Sequence, residues 1–190
     1  PVWLDIPIDI QGTRIDKRKI KIFKYTKKKT KINSKVDSIE KLNKLLSKSQ
    51  RPVFWLGNGI KLAKAEKLVP KLLKKLPFPT FLSWAAIDIL SSDHKLNFGR
   101  PGVYGNRASN LILQNSDLII AIGNRMSISM IGYVHDEFAR KAKLVQVDVD
   151  KSEIKKFKNK INLGINLDAK IFLSTFIKKS NSNIKEKNLK

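Results

Sequence analysis

Residues Arg51 to Gly59 read Arg-Pro-Val-Phe-Trp-Leu-Gly-Asn-Gly, a short apolar run that stops in a glycine-rich turn, and a helix-period pattern follows from Ile60 to Leu76. A strand, a Gly-X-Gly turn and a helix place backbone N–H groups and a helix N-terminus at one spot. Unpaired donors and the helix dipole both favour an anion there. The spacing departs from the dinucleotide fingerprint, because Leu62 stands where the third glycine belongs and no acidic residue lies between Leu76 and Leu82. A left-handed turn between strand and helix accounts for Gly57 and Gly59 equally well.

The rest of the chain keeps the same alternation. Helices are predicted over Val36 to Leu46, with Ser34 as N-cap, and over Leu62 to Leu76, kinked or split by Pro70. A helical turn from Trp84 to Leu90 leads into a long loop, Ser91 to Arg107, and helices follow at Arg107 to Gln114 and Asp168 to Ile177. Strands are predicted at Pro52 to Leu56, Phe78 to Leu82, Asp117 to Ile122, Lys143 to Val149 and Ile161 to Ile165. Asp117 to Ile122 is almost wholly apolar, as a strand covered on both faces must be. The pattern predicts an α/β fold: a doubly wound, Rossmann-like parallel sheet of about six strands with helices on both faces. Val2 to Ile8 has the alternation of a strand that closes a preceding domain. The expected organisation is therefore 1–12 as that closing segment, 13–35 as a basic linker, 36–178 as the central domain and 179–190 as a polar tail.

Composition narrows the function. The chain has no cysteine, which excludes a disulfide framework, a thiolate metal site and a cysteine nucleophile. No apolar run approaches the roughly 20 residues that span a bilayer. The opening Pro-Val-Trp-Leu-Asp carries neither an initiator Met nor a signal-peptide pattern, and the expectation is a piece of a longer cytoplasmic protein. A net charge of +23 ordinarily points to nucleic acid. Here the excess is lysine spread over helix faces, where solvation is its ordinary role, so a nucleic-acid partner ranks last. His94 and His135 have no metal-ligand spacing.

Several strands end in the same chemistry: Leu56 runs into Gly57-Asn58-Gly59, Ile122 into Gly123-Asn124-Arg125, and Val147 into Asp148-Val149-Asp150. Ligands of open α/β sheets sit beyond the carboxyl ends of strands, where the strand order reverses. Glycine turns and Arg125 suit phosphates, and a carboxylate suits ribose hydroxyls. The alternatives are Gly123 as a plain turn, Arg125 paired with a surface acid, and Asp148 and Asp150 capping the segment from Ser152.

These residues resemble the central domain of thiamine-diphosphate-dependent enzymes of the acetolactate synthase type. Pro1 to Pro7 is similar to the family's Gly-Pro-Val-X-(Ile/Leu)-Asp-(Ile/Leu)-Pro segment, and Arg51 to Gly59 to its Arg-Pro-Val…Gly-Gly-Gly. Ser92 to Leu96 resembles Asp-His-Pro-Leu, Gly102 to Gly105 resembles Gly-Met-His-Gly, and Ser116 to Arg125 resembles Ala-Asp-Leu…Gly-Ala-Arg. Val147 to Ile154 and Leu167 to Lys170 are similar to Ile-Asp-Ile-Asp…Glu-Ile and Gly-Asp-Ala-Lys. In flavin-binding members this domain holds FAD. The resemblance carries that role to Gly57, Asn58, Gly59, Ser83, Trp84, Gly102, Val103, Tyr104, Gly123, Asn124, Arg125, Asp148, Val149, Asp168 and Ala169, with FAD or ADP as the ligand.

Asn58 replaces the family's middle glycine, Tyr104 its histidine, and Met126-Ser127-Ile128-Ser129 the run that carries two aspartates and a second arginine. These departures look more like acetolactate-synthase-like enzymes of sugar and surface-polysaccharide synthesis. They also leave room for Trp84 and Tyr104 to fill the cleft. The resemblance implies thiamine diphosphate and Mg²⁺ in the full-length enzyme, bound by flanking pyrimidine- and diphosphate-binding domains, with a 2-keto acid such as pyruvate as substrate and a homodimer or homotetramer as assembly. No catalytic residue and no metal ligand is assigned to this chain, since the Gly-Asp-Gly clamp is absent, and the fragment alone is expected to be inactive. A free-standing nucleotide-binding module is the alternative.

Overall fold

A computed structural model describes residues 3–22, 35–157 and 160–180. The chain divides into two units, Pro1–Lys31 and Ile32–Lys190. In the first, every described residue is exposed. A single helical turn, α1 (Ile8–Gln11), starts after Pro7, and Asp16 caps a 3-10 turn at Lys17–Lys19. The strand expected from Val2 to Ile8 is not formed over its described part: Trp3 to Pro7 is irregular. No neighbouring strand among the described residues pairs with it, and Pro7 has no N–H to offer one. Ser34 and residues 181–190 lie outside the described residues.

The second unit is built on a five-stranded parallel sheet, one strand fewer than the alternation suggested. Its strands are β1 (Pro52–Leu56), β2 (Thr80–Leu82), β3 (Leu118–Ile122), β4 (Lys143–Asp148) and β5 (Ile161–Asn166), in the order β2-β1-β3-β4-β5. β3 is central and buried throughout, as a strand walled by helices on both faces requires. Side chains alternate between two cores. Phe54, Leu56, Leu118, Ile120, Ile122, Val145 and Val147 face α2 (Lys35–Lys48), α4 (Val69–Lys75) and α8 (Ala169–Lys179). Val53, Trp55, Ile119, Ala121 and Leu144 point the other way, into a core with Leu113 of α5 (Arg107–Asn115), Ile131 of α6 (Ile128–Ile131) and Phe157, which follows α7 (Lys151–Lys156). The sheet is therefore doubly wound.

Two local outcomes differ from expectation. The helix predicted from Leu62 to Leu76 is broken into α3 (Gly59–Leu62), a 3-10 turn at Glu66–Leu68 and α4. The break lies upstream of Pro70, at Lys64, whose φ is +51°. Pro70 sits in the first turn of α4, where its missing N–H costs nothing. The second difference is that Gly57 and Gly59 do not have positive φ; Gly123 does, at +58°. What excludes a side chain at the first two is proximity. A Cβ on Gly57 would lie 2.2 Å from the Gly123 carbonyl oxygen, and one on Gly59 would lie 2.7 Å from Gly123 Cα. The turns after β1 and β3 are packed backbone against backbone.

Candidate functional site

The chain steps from β1 out to β2, then returns across β1 to β3, so the strand order reverses between β1 and β3. That is the place where sheets of this kind open a crevice at their carboxyl ends. A cleft of about 790 Å³ lies here. It is lined by Asn58 and Gly59 after β1, Ser83 and Trp84 after β2, Gly123, Asn124 and Arg125 after β3, Asp148 and Val149 after β4, and Asp168 and Ala169 at the start of α8. Residues far apart in sequence share the cleft because parallel strands bring all their carboxyl ends to one edge.

Four sequence-predicted residues are not among its lining. Gly57 lies beneath it, as the contact between the two turns. Gly102 packs against the Ser129–Met130 backbone, where a Cβ would meet the Ser129 carbonyl oxygen at 2.7 Å, and the Val103 amide donates to that oxygen. Tyr104 is 74% exposed and lines a separate cavity with Arg100 and Asn106. Its ring meets Trp84 edge-on at 6.3 Å, while the Arg100 guanidinium lies 4.6 Å over the Trp84 ring. Trp84 therefore lines the cleft, Tyr104 packs against it from the neighbouring cavity, and the cleft stays open.

The first turn is not an anion cradle of the kind its sequence suggested. The Gly57 amide donates to Ile122 O and the Gly59 amide to Gly123 O, both at 2.9 Å, and α3 is a single turn with little dipole behind it. Of that turn only the Asn58 amide is uncommitted; with the amides of Asn124 and Arg125 after β3, it makes no hydrogen bond among the described residues. Asn124 is buried, and its Oδ1 accepts from the Met126 amide at 2.9 Å. That bond holds Met126, itself buried, at a φ of +49°, a left-handed conformation unusual for a residue with a side chain. Strain of this kind, held by surrounding bonds, is commonly found at binding loops. Asn124 Nδ2 and Gln146 Oε1 are both buried without a hydrogen-bond partner among the described residues.

Charges complete the picture. Arg125 is paired, Nε to Glu153 Oε1 at 2.9 Å, as the surface-acid alternative anticipated. Asp150 caps α7 by accepting from the Ser152 amide, and Asp148 accepts from the Asp150 amide. Burial, followed by the charges of Glu153 and Asp150, raises the Asp148 carboxyl above its usual range, outweighing the hydrogen bonds it accepts. Asp168 caps α8, accepting from the amides of Lys170 and Ile171. Leu62, Ala63, Ser127, Met130, Asp150, Glu153 and Leu167 also line the cleft and were not among the predicted site residues. Of these, Asp150 and Glu153 carried a legible signal: Asp-Lys-Ser-Glu has the spacing of a helix start, which turns Glu153 back toward the strand ends. Leu62, Ala63, Ser127 and Met130 depend on where α3 and α6 pack, and Leu167 on the turn from β5 into α8.

The family model for the central domain of thiamine pyrophosphate enzymes matches residues 39–176. The chain belongs to that family. It is 34% identical over 158 residues to the acetolactate synthase isozyme 1 large subunit of Escherichia coli, covering 83% of this chain and 27% of that protein. It is 32% identical over 184 residues to a Methanococcus aeolicus protein described as a probable acetolactate synthase large subunit, covering 94% and 30%. The chain thus spans less than a third of the curated relatives it matches. The fold recurs in an X-ray structure of a Mycobacterium smegmatis protein, with a TM-score of 0.64 at 15% identity, covering 77% of this chain and 28% of that one. Among the described residues, no helix of this central domain is long and apolar enough to cross a membrane.

Proposed function

We propose that this chain is the central domain of a thiamine diphosphate-dependent enzyme that decarboxylates and joins 2-keto acids such as pyruvate, and that its strand-end cleft takes an adenine nucleotide, FAD or ADP. The carbonyl chemistry belongs to thiamine diphosphate with Mg²⁺, held by flanking pyrimidine- and diphosphate-binding domains of a cytoplasmic homodimer or homotetramer. This chain has no Gly-Asp-Gly clamp, and its described residues contain no group of three or more side chains suited to a metal ion. Its own residues bind and orient. The amides of Asn124 and Arg125, with the Arg125 guanidinium, meet the phosphates, and Asp148 accepts from the ribose hydroxyls.

One observation carries the nucleotide reading: glycine turns, uncommitted amides, a guanidinium and a carboxylate from three strand ends share a single cleft where the strand order reverses. Titration of ADP and FAD against the chain and its Arg125→Ala variant tests it. The variant is expected to lose about 1.5–3 kcal/mol, the range for a charged hydrogen bond, with Asp148→Ala losing less. Equal, weak affinities for both chains would remove the site. The same calorimeter tests the division of labour, since a micromolar, Mg²⁺-dependent isotherm with thiamine diphosphate would contradict it.

A further inference from the structure

The cleft carries the opposite charge from the chain around it. The net charge is +23, yet the charged side chains lining the cleft are Asp148, Asp150, Glu153 and Asp168 against Arg125. The three aspartates are engaged with backbone amides that shape the turns and helix starts. Glu153 is different: its carboxylate partners are the side chains of Arg125, at 2.9 Å, and Lys156, at 3.4 Å. It is 17% exposed while Arg125 is 76% exposed, so the carboxylate is the seated member of the pair and the guanidinium the one in solvent.

We infer that Glu153 is a specificity-determining residue that holds the charge a phosphate would otherwise meet on Arg125, and so weakens diphosphate ligands relative to the uncharged nucleoside. The inference rests on the nucleotide reading above. A phosphate approaching Arg125 finds a guanidinium already compensated, with a carboxylate within a few ångströms. One like charge about 4 Å away is worth about fivefold in affinity at the dielectric of water and about a thousandfold at that of a protein surface. With Arg125 76% exposed, the screened end applies, about tenfold. Adenosine presents no charge to Arg125 and is indifferent to Glu153.

Calorimetric titration of the chain, Glu153→Gln and Arg125→Ala with ADP and with adenosine tests this. Glutamine keeps the size and one acceptor oxygen, removes the charge and turns the second oxygen into an NH2 donor. Glu153→Gln is expected to bind ADP about tenfold tighter than the parent chain and adenosine within about twofold of it. The gain should shrink as salt is raised from about 50 to 500 mM, because the Debye length falls. Should Glu153→Gln melt early, Glu153→Ala removes the same charge and must give the same ordering. Equal ADP affinity in parent and Glu153→Gln would overturn the role of Glu153 and leave the nucleotide site standing. An equal gain for adenosine would overturn it too, since the change would then act through the loop and not through phosphate. No ADP binding by any of the chains would overturn this inference and the nucleotide reading together.

Discussion

Gly57→Ala tests the central structural reading, that two turns of the cleft are packed backbone against backbone. The new methyl would lie 2.2 Å from Gly123 O and 2.4 Å from Asn124 Cα. Both are backbone atoms, so neither can swing aside as a flexible side chain would. Ordinary carbon contacts begin near 3.5 Å, so the turns must part by roughly an ångström or more. Parting them breaks the Gly57 N–Ile122 O and Gly59 N–Gly123 O bonds, both 2.9 Å long. Two backbone bonds at about 1 kcal/mol each, with overpacking strain of about 1–3 kcal/mol, give a loss of about 3–5 kcal/mol. That is a large part of a typical folding free energy of about 5–15 kcal/mol. At about 2–4 °C per kcal/mol, the melting temperature should fall by roughly 6–20 °C. Urea denaturation followed by tryptophan fluorescence reads the loss, since Trp55 is buried on the strand that feeds the turn. Gly132→Ala is the matched control: its φ is +82°, but a Cβ there meets nothing within 4 Å. It should cost about 1–3 kcal/mol, the backbone strain of a side chain at φ +82° and ψ 176° alone. The packing argument fails if Gly57→Ala costs no more than Gly132→Ala.

Other outcomes follow from single contacts. Burial on its own would raise the Asp117 carboxyl, but hydrogen bonds from the Ser49 hydroxyl and the Gln50 and Arg51 amides, with the Arg51 charge, hold it below its usual value. A lowered pKa contributes stability that is present above the unfolded value near 4 and is lost as pH falls through the folded one. Asp117→Ala should therefore cost about 2–3 kcal/mol at pH 7, and the gap between the two chains' denaturation midpoints should begin to narrow near pH 4 and go on narrowing as pH falls. Asn124→Ala removes the acceptor that holds the Met126 amide at its left-handed φ of +49° and should cost about 1–2 kcal/mol by chemical denaturation. Gln146 is fully buried with Oε1 unpartnered and one long bond, 3.4 Å, from Nε2 to Asn124 O. Gln146→Met keeps the volume and should lie within about 1 kcal/mol of the parent or above it; a loss beyond about 2 kcal/mol would show a carboxamide with full partners.

Much of the scaffold was legible because strand and helix periods differ. Pro52 to Leu56 was read to the residue, and Asp117 to Ile122 was recognised as a strand covered on both faces because it lacks polar alternation. Short elements were not. α6 is a single turn whose Ile-Ser-Met-Ile carries no period, and its Ile131 is buried in the second core that also holds Trp55 and Phe138. The site was half legible: glycines and carboxylates at strand ends mark a crevice, but Tyr104 stands beside the cleft against Trp84 and not within it.

By itself the sequence determined the alternation of strands and helices, the parallel sheet that follows from it, and the family to which those motifs belong. These rest on local propensity and on hydrophobic period, which each segment carries alone. Only the tertiary structure decided what the glycines are for and which charges meet. Gly57 and Gly59 lack side chains because Gly123 is 2.2–2.7 Å from where their Cβ atoms would be, a distance no local pattern encodes. Arg125 and Glu153 are separated by α6, β4 and the start of α7, and their 2.9 Å contact depends on the register of β3 against β4. Contacts between distant segments are set by how whole layers pack, and packing is a property of the assembled sheet.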